Sequence, residues 1–105
     1  MSAYVISEVD VIDEGHGQQY RELAAASIAR YGGRYVVRGA QPEVPEGEWP
    51  PAQRVVVVEF PTMEQLHRWY NSPEYAKALA LRQAALRRRL LFVDGIAEEA
   101  GQEAL

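Results

Sequence analysis

Residues 55–60 read VVVVEF and residues 90–93 read LLFV. In an extended chain, successive side chains point to opposite faces of a sheet. These two runs therefore put apolar groups on both faces. Val55 and Val57 oppose Val56, Val58 and Phe60, while Leu91 and Val93 oppose Leu90 and Phe92. Near the start, residues 3–11 alternate in the same way: Val5, Val9 and Val11 point one way with Ser7, and Tyr4, Ile6, Glu8 and Asp10 point the other. A chain of 105 residues has room for one core. A sheet that is apolar front and back needs a layer on each side, and this requirement limits the possible folds more than any other feature.

The remaining elements show what those layers are. Asp13-Glu14-Gly15 reads as a turn. Tyr20, Leu23, Ala24, Ile28 and Tyr31 then recur at helical spacing, which marks an amphipathic helix. Gly32-Gly33 ends it, because a helix C-terminus favours a residue tolerant of positive φ. Residues 34–39 form a short strand. Residues 40–52, AQPEVPEGEWPPA, contain four prolines, too many for a helix or a central strand. After the strand at residues 55–60, Thr62-Met63-Glu64-Gln65 fits a capping box, and helix follows to residue 70. Ser72 then caps a second segment with Pro73 at its first position and Glu74 in its first turn. That segment carries Tyr75, Leu79, Arg82 and Leu86. The last strand covers residues 87–94, and residues 97–105 read as a mobile tail.

The order is βαββαβ, with the second helix broken at Ser72. Short connections and right-handed crossovers give an α+β fold, a ferredoxin-like sandwich: a four-stranded antiparallel sheet with the helices on one face. One domain spans residues 1–96. The other face would expose several hundred Å² of apolar surface, near or above the roughly 300–600 Å² usual for a monomer. The simplest cover is a second copy placed by a two-fold axis, a homodimer in which two sheets enclose a barrel-like core.

Several classes of function are disfavoured. The net charge is −4 and cysteine is absent, so there is no general attraction to nucleic acid, no disulfide and no thiolate chemistry. Apolar runs are too short to span a membrane. The opening MSAYVISEVDV turns acidic where a signal peptide would stay apolar, and the default location is cytoplasmic. Arg87-Arg88-Arg89 enters a strand, so its side chains alternate between faces and lack the interleaved rings of a single-strand binder.

A set of residues along the chain carries a resemblance: Tyr4-Val5-Ile6, Tyr31-Gly32-Gly33-Arg34-Tyr35 with Arg38-Gly39, Glu59-Phe60-Pro61, Trp69-Tyr70 with Ser72-Pro73-Glu74-Tyr75, and Arg82. Together they resemble the bacterial domain-of-unknown-function family 1330, within the dimeric α/β-barrel superfamily. The resemblance implies the ferredoxin-like dimer and no agreed activity. The wider superfamily includes cofactor-free monooxygenases, haem-processing enzymes, muconolactone isomerases and chlorite dismutases. No catalytic residues carry across.

Candidate site residues come from composition and spacing. Trp69, Tyr70 and Tyr75 flank the helix break. They read either as a plug in the core or as an aromatic wall for a flat ligand, closed by Trp49 from the proline-rich segment. Arg38 and Arg82 are the candidate anchors for an anionic group, since a guanidinium holds a carboxylate at two points. His67, Glu8 and Glu59 are the candidates for acid–base work. The bland reading of the charged set is cross-strand ion pairs, Arg34 with Glu59 and Glu8 with Arg54. Glu64 and His67 share a helix face but lack the further carboxylates a metal site needs, so no metal and no cofactor is expected. Two readings stand: a cofactor-independent enzyme acting on a small aromatic or carboxylated metabolite, and a non-catalytic dimer that binds a metabolite or another protein.

Overall fold

The structure, a computed structural model, describes residues 1–50 and 53–96. Residues 97–105, read above as a tail, lie outside the described residues. The elements run β1 (Ala3–Val11), α1 (Glu14–Arg30), β2 (Arg34–Ala40), β3 (Arg54–Phe60), α2 (Met63–Tyr70), α3 (Pro73–Ala85) and β4 (Leu86–Asp94). The strands form one antiparallel sheet in the order β2-β3-β1-β4. The ferredoxin-like expectation holds.

Helix ends follow local chemistry. Asp13 is extended, and its carboxylate accepts from the His16 backbone N–H at 3.0 Å. The segment read as a turn is therefore the capped first turn of α1, because an Asx N-cap and a turn share the same residue types. At the other end, Gly32 has φ 83°. Gly33 N–H bonds Ile28 C=O at 2.9 Å and Gly32 N–H bonds Ala29 C=O at 3.2 Å, the paired bonds of a Schellman cap. Thr62 accepts from Gln65 N–H at 3.1 Å to start α2, and Ser72 accepts from Tyr75 N–H at 3.0 Å to start α3. Leu86, read as helical, instead opens β4 and is buried.

Two register shifts interrupt β2 against β3, one between Tyr35 and Val37 and one between Arg38 and Ala40. They restore Tyr35 and Arg38 to the same face, opposite Val58 and Val56. Gly39 takes φ 83° at the second shift, a conformation open to glycine.

The core lies between the helices and one face of the sheet. Ala3, Val5, Val58 and Phe60 meet Tyr20, Ala24 and Ile28 of α1, Leu66 and Trp69 of α2, and Tyr75 and Ala78 of α3. The opposite face carries Tyr4, Ile6, Val55, Val57, Leu91 and Val93. Among the described residues no helix covers it. Leu91 is 53% exposed and Val93 37%. Two ion pairs lie on this face. Arg34 meets Glu59 at 2.7 Å, as expected. Glu8, however, pairs with Arg89 at 2.9 Å and not with Arg54. The β1–β3 register sets Glu8 opposite Val55 and puts Arg54 opposite Val9, on the other face.

Candidate functional site

Register orders the helix-facing side of the sheet into rows, since directly opposite residues share a face. Arg54, Val9 and Arg88 form one row across β3, β1 and β4. The next row is Arg38, Val56, Ser7 and Leu90, and the one after it Tyr35, Val58, Val5 and Phe92. α1 crosses these rows with Tyr20, Ala24 and Ile28 facing them. Between helix and sheet lies a cavity of about 140 Å³. Its apolar end is formed by Val5, Val58, Ile28 and Trp69. Arg38, Arg54 and Arg88 line the other end, with Arg21 on the helix side. No carboxylate lines it among the described residues.

Two of the lining residues, Arg88 and Tyr20, are joined with buried Tyr75 in one hydrogen-bonded set. Arg88 donates from Nη1 to Tyr20 Oη and from Nη2 to Tyr75 Oη, both at 2.6 Å. The two phenol oxygens lie 2.7 Å apart. Burial pushes the Tyr20 hydroxyl above its ordinary pKa and does the same to Tyr35, so both stay protonated at neutral pH. Burial works against the Arg88 charge, but the surrounding Tyr20 and Tyr75 oxygens outweigh it and the guanidinium pKa is raised. Arg38 lies over the Tyr35 ring at 4.2 Å. Arg54 donates to Gly39 C=O at 3.2 Å.

The three rings at the helix break do converge. Trp69 and Tyr75 have centroids 4.3 Å apart, and Tyr70 is 5.9 Å from Trp69 and 5.7 Å from Tyr75. They fill the core: Tyr75 is fully buried, and Trp69, 3% exposed, donates from Nε1 to Ser27 Oγ at 2.9 Å. Trp69 alone of the three borders the cavity, and Tyr70 and Tyr75 pack behind it.

Other candidates lie elsewhere. Trp49 sits on the open face of the sheet near Ile6, Val55 and Leu91, across the sheet from Trp69. Arg82 is half-buried on α3 and does not line the cavity. His67 is exposed on α2, its ring edge-on to Phe92 with centroids 5.6 Å apart. Glu8 and Glu59 are on the open face. Hydrogen bonds from Ser2, Arg34 and Tyr4 hold the Glu59 carboxyl below its ordinary pKa, the opposite of what a base poised near neutrality requires. Among the described residues no three His, Asp or Glu gather as metal ligands would, and no helix is long and apolar enough to cross a membrane.

Arg88 and Tyr20 line the cavity but do not stand out in the sequence. Arg88 was hidden in a run of three arginines, and Tyr20 in a helical stripe. The available signal was register: strand alternation turns Arg88 inward with Leu90 while Arg87 and Arg89 face out.

Comparison with solved structures supports the fold. A protein of unknown function from Rhodopseudomonas palustris superposes with a TM-score of 0.75 at 18% identity, covering 91% of this chain and 83% of that one. SnoaB, a cofactor-independent oxygenase from Streptomyces nogalater, gives 0.69 at 11% identity, with 91% and 94% covered. A dimeric protein of unknown function with a ferredoxin-like fold from Bacteroides fragilis gives 0.60 at 11%, with 90% and 96% covered. No curated protein matches the chain. The family model described as "Domain of unknown function (DUF1330)" matches residues 2–96, and the chain belongs to that family.

Proposed function

We propose that this protein is a homodimer that binds a small, single-ring aromatic anion in the cavity between α1 and the sheet. The supporting observation is the polarity of that cavity, with arginines at one end, apolar side chains at the other, and no carboxylate among the described lining residues. An aromatic acid matches it, with the ring against Val58 and Trp69 and the carboxylate towards Arg88 and Arg38. Size limits the ligand further. An apolar cavity of about 150 Å³ accepts benzene, so about 140 Å³ suits one ring.

Two copies joined through the open sheet face would bury Ile6, Val57, Leu91 and Val93, which face water in a single chain. A dimeric neighbour with a ferredoxin-like fold supports a two-copy assembly. The fold likeness to a cofactor-independent oxygenase supports a catalytic form of the reading, in which Arg88 and Tyr20 steady negative charge on a ligand oxygen. In the alternative, non-catalytic form the ligand is bound and released unchanged.

The test is a thermal-shift and calorimetric titration with benzoate, 4-hydroxybenzoate and benzylammonium. A ligand at a hundred times its Kd adds about 2.7 kcal/mol of stability, a Tm rise on the order of 10 °C for a chain this size. The acids are expected to stabilise and the ammonium to have no effect. Arg38→Met is expected to weaken the acids. Mass spectrometry of the recovered ligand, incubated in air, separates catalysis from binding. Equal response to acid and ammonium would refute the reading.

A further inference from the structure

We infer that Tyr20 donates the hydrogen bond that selects an anionic oxygen on the ligand, with Tyr75 and Arg88 positioning its proton. The inference rests on the cavity being a binding site, as proposed above.

The protons of the two phenols decide which oxygen donates. Tyr20 Oη and Tyr75 Oη each accept one bond from Arg88 and share one bond with each other. Two hydroxyls bring two protons, and the shared bond uses one. The other proton must point elsewhere. If Tyr20 donated to Tyr75, the spare proton would belong to Tyr75, which is fully buried and does not line the cavity. A buried donor without an acceptor carries a desolvation penalty. If Tyr75 donates to Tyr20, the spare proton belongs to Tyr20, which does line the cavity. The second arrangement leaves no donor stranded in the core. It also directs two donors, one of them charged, at the Tyr20 oxygen, which polarises its O–H and strengthens it as a donor.

The Tyr20–Arg88 end of the lining therefore favours a ligand oxygen that only accepts. Arg88 cannot accept, and the Tyr20 oxygen already receives two bonds. A carboxylate offers two such oxygens and a charge to Arg88 and Tyr20, whereas an amide offers one neutral oxygen and an ammonium none.

The experiment measures Kd for benzoate and for its neutral isostere benzamide by calorimetry, on wild type, Tyr20→Phe and Tyr75→Phe. Tyr20→Phe is expected to weaken benzoate about tenfold or more, the loss of one charged hydrogen bond, and benzamide less than about threefold. A purely structural role would weaken both probes alike. Tyr75→Phe keeps the donor but frees its proton, and is expected to lower the benzoate preference about threefold. It carries the test if Tyr20→Phe does not fold. An unchanged preference in the variants, or a larger loss in Tyr75→Phe than in Tyr20→Phe, overturns the inference while the binding site stands. A wild type that binds neither probe overturns the site and the inference together.

Discussion

Leu91→Asp is the most informative perturbation of the assembly. Leu91 lies on edge strand β4, on the face without helices, and is 53% exposed. Fully burying a leucine side chain contributes about 1.5–3 kcal/mol, so covering the exposed half of Leu91 contributes about 1 kcal/mol. A two-fold axis doubles every change, giving about 2 kcal/mol per dimer from lost apolar contact alone. The substitution also puts two carboxylates into the interface, each costing several kcal/mol if desolvated without a partner. Even half of that, added to the apolar loss, exceeds about 4 kcal/mol, or at least about a thousandfold in Kd. The single chain should tolerate the change, because the position is open to water there. Sedimentation at 1–100 μM, about the range of routine work, is expected to show a wild-type dimer and a monomeric variant with an unchanged folded circular dichroism spectrum. Ala26→Asp is the control, because Ala26 is exposed on α1, in the helical layer on the other side of the sheet, and its variant is expected to stay dimeric. A Leu91→Asp protein that sediments like the wild type would refute the assigned interface.

Two further predictions concern the core. Gly33→Ala would place a Cβ 2.6 Å from Phe60 Cε1 and 2.9 Å from Ile28 Cγ2, so urea unfolding is expected to show a loss of about 1–3 kcal/mol, and wild-type stability in that variant would contradict the packing. Tyr20 has a folded pKa above its unfolded value, so its contribution is complete below about pH 10 and is lost as pH rises further. The wild type should lose stability above pH 10 with a slope steeper than Tyr20→Phe by up to about 1.4 kcal/mol per pH unit, whereas parallel slopes would show that the hydroxyl ionises as freely folded as unfolded.

Much of the fold could be read from local chemistry. Alternation placed Val5 and Ser7 on one face and Tyr4 and Ile6 on the other, and the structure keeps that division. Ser72-Pro73 and Thr62 marked helix starts because their side chains do the capping themselves. The errors arose where position depends on distant partners. Glu8 was matched to Arg54, although Arg54 stands opposite Val9, one residue along, and in a strand one residue reverses the face. Trp49 was placed with Trp69 on composition, but the proline-rich segment carries it across the sheet. Arg82 has the spacing of a site residue yet does not reach the cavity. Arg88 reads in the sequence as one of three arginines alternating between faces, and pairing across β1 places it in the row of Arg54 and Val9, beside two buried phenols. Local rules fix which residues form each element, while this site depends on how strands from both ends of the chain line up.

A crystal structure of the protein grown with saturating benzoate bears most directly on the central claim. The account predicts one ring between α1 and the sheet, its apolar edge towards Val58 and Trp69 and its carboxylate within hydrogen-bond reach of Arg88 and Tyr20. Benzoate held only outside that cavity, or seated in it with the carboxylate towards Trp69, would contradict the account.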